Sequence, residues 1–181
     1  KSVDRWPVHS LEKSPCPPKN EVMNQTPETN NPFLSPYPTP FGAVPFEDIR
    51  LEHFEPARME GIRQDNEDIR SITDTTEAPT FDNTIAALDY SGELLDEVST
   101  VLGNLDEAET SDEMQELVLR MTPVLTEHDN DISLNPALFE RVKCVYETAD
   151  RSKLSIEQQR LLDDTYRSFI RSGAGLSDKD K

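Results

Sequence analysis

From Phe46 onward the apolar residues recur at steps of three, four or seven, the period of helices that bury one face. Five helices are predicted. After a short turn at Phe46–Ile49, "LEHFEPARMEGIRQDNEDIRSI" brings Phe54, Ile62, Ile69 and Ile72 near one face. Pro56 fits only in a first turn, which places that start near Glu52. The second helix runs from about Phe81, behind Pro79 and Thr80, through Ile85, Leu88, Leu95, Leu102 and Leu105. Thr110 and Glu113 have the spacing of a capping box for the third. Its face is Met114, Leu117, Met121, Leu125, His128 and Ile132, and Pro123 predicts a kink or a break. Asn135–Pro136 offers an N-cap and a first-turn proline to the fourth, with Leu138, Val142, Val145 and Ala149 inward. Ser155 and Gln158 open the fifth, which continues through Leu162, Phe169 and Ile170 to a cap at Gly173. Ser177 then restarts a cap with acid behind it, which reads as a further helix cut at its first turn. No run alternates long enough for a strand, and no repeat recurs. The fold class is all-α, an antiparallel helical bundle.

Residues 1–45 follow another rule, holding ten of the fourteen prolines. Proline removes a donor and disfavours helix before it, so extended, irregular chain is expected. Residues 1–30 read as an unstructured leader, with Met23 a possible natural start. Residues 31–45 read as an extended arm, and 46–181 as the helical part. The aromatics Phe33, Tyr37, Phe41 and Phe46 either pin the arm onto the helices or enter a partner's groove; pinning is the expectation.

Charge narrows the partners. Thirty-six acids against eighteen bases give −18. Residues 1–45 balance, with Lys1, Arg5, Lys13 and Lys19 against Asp4, Glu12, Glu21 and Glu28, so the excess lies in 46–181. Such a surface repels phosphate backbones and anionic lipid, so neither nucleic acid nor membrane is an expected partner. The hydrophobic share of 34% falls below the roughly 45–50% usual for globular domains, which suits a partly unstructured chain or a piece of something larger. No run reaches the ~18 apolar residues that span a bilayer, and no apolar signal segment stands at the N-terminus. Cys16 and Cys144 form no CxxC pair. A reduced, cytoplasmic location follows.

The densest candidate chemistry is "LTEHDNDI", Leu125 to Ile132. His128 falls on the apolar stripe, where a histidine is expected to be a hydrogen-bonded core residue and not a ligand. A zinc hydrolase needs two histidines one helical turn apart with a glutamate between. His9, His53 and His128 cannot supply that. A calcium loop counted from Asp129 places Asp131, Ser133 and Glu140 at ligand positions, but Leu134 stands where the turn requires glycine. No G-x-S-x-G elbow exists, neither cysteine has a neighbouring histidine, and Gly173–Gly175 follows a helix instead of opening one. Cys144 is assigned to packing. No catalytic, metal-binding or cofactor-binding residue is assigned, and substrate-binding residues stay unknown.

Four blocks carry a resemblance. They are "NPFLSPYPTPFGAVPFEDIRLEHFEPARMEGI" (Asn31 to Ile62), "APTFDNTIAALDYSGELLDEVSTVLGNL" (Ala78 to Leu105), "LTEHDNDISLNPALFERVKCVY" (Leu125 to Tyr146) and "RSFIRSGAGLSDKDK" (Arg167 to Lys181). In order and spacing they resemble the start of zinc oligopeptidases of the thimet oligopeptidase and peptidyl-dipeptidase family, the bacterial peptidyl-dipeptidase or oligopeptidase A type. The resemblance implies the N-terminal part of a two-lobed helical metallopeptidase acting on short peptides. These helices would form one channel wall. It implies zinc in the full-length parent but none on this chain, which is expected to be inactive without the missing catalytic lobe. Whether the parent removes C-terminal dipeptides or cuts internally is left open. The alternative is a stand-alone acidic helical adaptor.

Overall fold

The computed structural model describes residues 31–176; the expectations for the leader, Met23, Cys16 and Ser177 lie outside the described residues. Among the described residues there is no strand, and six α-helices follow a short arm: α1 (Leu51–Asp74), α2 (Ala87–Tyr90), α3 (Glu93–Glu109), α4 (Asp112–Ser133), α5 (Pro136–Thr148) and α6 (Ile156–Ser172). The all-α class is what the period dictates. No helix there is long and apolar enough to cross a membrane.

α1 is the shared element. Its buried face is Phe54, Ala57, Arg58, Gly61, Asp65, Ile69 and Ile72, at steps of three or four apart from the adjacent Ala57 and Arg58. The N-terminal half enters one apolar cluster with Phe33 of the arm, Val98 and Leu102 of α3, and Leu117 and Met121 of α4. The C-terminal half enters a second cluster with Ile85, Leu138 and Val142 of α5, and Leu162 and Phe169 of α6. Gly61 allows the closest approach, since a Cβ there would lie 2.9 Å from the Leu95 backbone. Gly61 faces Leu95 while Asp65 faces Gly92, so α1 and α3 run antiparallel. Glu55 pairs with Arg120 and Asp65 with His128, so α1 and α4 run in the same direction.

Capping chemistry sets most boundaries. Asn135 accepts from the Leu138 amide before Pro136, and the Ser155–Gln158 box opens α6. Gly173, at φ 88°, closes it. Four expectations need correction. Pro56 is the sixth residue of α1, beyond the first turn; it is exposed, so water can reach the Glu52 carbonyl that its missing N–H leaves free. The predicted second helix is broken. It begins as a π-helical stretch, Phe81–Ala86, passes into α2, and stops at Gly92, whose φ of 73° is left-handed. The cap of α4 is Ser111, which accepts from the Met114 amide, while Thr110 terminates α3. Of the kink or break expected at Pro123, the break is absent: α4 runs through it without interruption, and the orphaned carbonyl is that of Leu119, a residue 73% exposed.

The arm is only partly extended, with 3₁₀ turns at Pro32–Leu34 and Pro40–Gly42. Phe33 packs on Phe54 with ring centroids 5.2 Å apart, and Asn31 donates to the His53 carbonyl at 2.8 Å. Tyr37 packs against the same cluster. Phe41 and Phe46 are exposed, so two of the four aromatics pin the arm and two do not. Ile170, expected inward, is also exposed.

Gly61→Ala should therefore destabilise the chain by about 1–3 kcal/mol, because the obstructing atoms are backbone. Leu138→Ala should cost about 2–5 kcal/mol at a fully buried site. Denaturant melts of the two variants check both.

Candidate functional site

The final turns of α4 answer the question raised by "LTEHDNDI". Glu127, Asp129 and Asp131 face solvent while His128 is buried. His128 Nε2 lies 2.8 Å from Asp65 Oδ2 of α1, and the two side chains are 4% and 8% exposed. The separation is that of a hydrogen bond, which the tautomer carrying its proton on Nε2 satisfies by donating to the carboxylate oxygen. Gly92 completes the enclosure. A Cβ there would sit 3.2 Å from the Asp65 carboxylate. Asp65 Oδ1 has no hydrogen-bond partner among the described residues, nor does the enclosed Nε of Arg58, two turns earlier on the same face. Burial lowers the pKa of Arg58. The pair sits at a waist: Asp65 falls between Ala57 and Ile69 on α1, and His128 between Met121 and Ile132 on α4. Each helix thus passes from one apolar cluster to the other.

Asp65 escaped the sequence reading. Its signal was an acid at a stripe position, four residues after Gly61 and four before Ile69, where the period calls for an apolar side chain.

The remaining candidates are occupied locally. Asp129, Asp131 and Ser133 belong to α4 and Glu140 to α5, so the calcium-loop positions are helical. His53 accepts the Arg50 amide at 3.1 Å at the start of α1. Cys144 is a half-buried thiol on α5. Among the described residues no group of three or more His, Cys, Asp or Glu is arranged to hold a metal ion. These donors do not fit a zinc site: one imidazole is committed to Asp65 and another to a helix start.

Among the described residues a groove of about 980 Å³ opens between the arm, α1 and α3, and another of about 680 Å³ between α1 and α4. In the first, Leu34, Met59 and Leu94 supply apolar surface, with Glu60, Glu93 and Glu97 beside them. Arg63 and then Gln64 hold Glu60 down to about 2 through hydrogen bonds. Glu93 and Glu97 have no cationic partner among the described residues. Tyr37 is pushed up by burial and then by Glu97, although its enclosed hydroxyl meets no acceptor within hydrogen-bond geometry.

Fold and sites together define, among the described residues, a helical scaffold in which the buried Asp65–His128 pair joins two helices. No family model matches the chain. It is 39% identical to dipeptidyl carboxypeptidase of Escherichia coli over 153 residues, which cover 84% of this chain and 22% of that protein. The Salmonella typhimurium dipeptidyl carboxypeptidase is 38% identical over the same length. Oligopeptidase A of Escherichia coli is 23% identical over 144 residues, 80% of this chain and 21% of that protein. The chain is similar to members of this peptidase family, the one its four sequence blocks resemble, and spans about a fifth of the length of these relatives.

Removing either member of the buried pair leaves the other enclosed without its partner. Asp65→Ala and His128→Ala should each cost about 1–3 kcal/mol. The double variant should cost less than their sum, which a double-mutant cycle of denaturant melts measures.

Proposed function

We propose that this chain is the N-terminal helical portion of a zinc metallopeptidase that hydrolyses short peptides, where it forms part of a channel wall. The observation that supports this most is the 39% identity to dipeptidyl carboxypeptidase across 84% of the chain. The chain's share is support and exclusion. α1, shared by two clusters, gives a stiff wall able to limit the channel to short, unfolded peptides. Zinc and the groups that use it belong to polypeptide outside these 181 residues, in a catalytic lobe against which this portion packs. By itself the chain is inactive.

Two measurements test this reading. The gene's reading frame should continue past Lys181 into an H-E-x-x-H motif, and the longer product should cleave a short peptide in a chelator-sensitive way. The 181-residue chain, purified, should hold no stoichiometric zinc by elemental analysis and cleave nothing. A stop codon directly after Lys181, or chelator-sensitive cleavage by the chain itself, would overturn the proposal.

A further inference from the structure

The groove between the arm, α1 and α3 runs past the outside of the buried waist, where Gly61 and Gly92 line it, and its chemistry names an occupant. Leu34 and Met59 line its main stretch, and Tyr90 lines an adjoining one. The three are 38%, 49% and 79% exposed, large apolar surfaces that no other described residue covers. Gln64, Glu93, Leu94 and Glu97 border both stretches, so the groove is continuous. Along α1 it passes Pro56, Glu60, Gln64 and Asp68, one residue per turn over about 18 Å. That length accommodates three turns of a partner helix.

The rim is anionic and largely unneutralised. Arg63 bonds Glu60, the one groove carboxylate with an ion-pair partner among the described residues, and also Glu67. Asp68, Glu93 and Glu97 have no cation beside them among the described residues. Apolar floor under free carboxylates matches a segment whose apolar side chains seat on Met59 and Leu94 while Lys or Arg meets Glu93 and Glu97. The relatives extend far beyond the length shared with this chain, which leaves ample polypeptide to provide it.

We infer that this groove docks a Lys- or Arg-bearing amphipathic segment of the longer polypeptide, an assignment that rests on the proposed function. Methionine oxidation tests it, with the buried Met121, 2% exposed, as internal standard. In the longer polypeptide treated with hydrogen peroxide, Met59 should oxidise at least about tenfold more slowly than in the unfolded chain, as Met121 does. Glu93→Lys with Glu97→Lys should return Met59 to near its unfolded rate and leave Met121 protected. Met59 that oxidises freely in the native polypeptide overturns the inference, as does protection that charge reversal leaves unchanged. Free oxidation that an added Lys/Leu amphipathic peptide suppresses assigns the groove to a separate partner, and also overturns it. Chelator-sensitive cleavage by the same preparation reports on the proposed function independently. An active enzyme with open Met59 fails the docking alone, and an inactive one with protected Met59 fails the parent reading alone.

Discussion

Two apolar clusters share one helix, and the hydrogen bond between Asp65 and His128 holds the place where they meet. A buried hydrogen bond adds only about 1 kcal/mol net, yet leaving either partner unmet costs more. That asymmetry fixes register. Sliding α4 along α1 by one turn, about 5.4 Å, would enclose a carboxylate and an imidazole without each other. Apolar contacts alone tolerate such a slip far better. The pair therefore selects one alignment of α1 and α4, and with it the positions of everything packed on either helix.

Small residues make the waist close. Gly61 lets α3 approach α1 to backbone contact, and Gly92 turns the chain in a left-handed conformation beside the Asp65 carboxylate. The prolines sit where their missing donors do least harm, since Pro56 and Pro123 both face solvent. On the far side, Arg141 of α5 donates to the Glu77 carbonyl at 3.1 Å and to Asn83 at 3.2 Å. This ties the loop after α1 to the second cluster. Surface acids stay outside this framework, which reconciles a charge of −18 with an apolar interior.

Legibility in the sequence followed the range of the forces. Ser155, Gln158, Asn135, Pro136 and Gly173 act within one turn, and each cap stands where the residues predict it. The break at Gly92 was hidden because Ile85, Leu88 and Leu95 keep helical spacing across it. Ser111 and Thr110 are both competent caps; the reach of α3 to Glu109 decided between them. His128 was legible as a buried, bonded histidine from its stripe position. Its partner was not, because periodicity registers apolar residues and Asp65 is an acid. The groove is assembled from three distant segments, so no local pattern could announce it.

Enclosed against Asp65, His128 acts as a structural donor and not as a metal ligand. Nitrogen-15 NMR of the imidazole addresses this directly. A ring proton resident on Nε2, exchanging slowly with water, is expected, with ring shifts unchanged by one equivalent of zinc. A proton found on Nδ1 alone, or ring nitrogens that move on adding zinc, would contradict it.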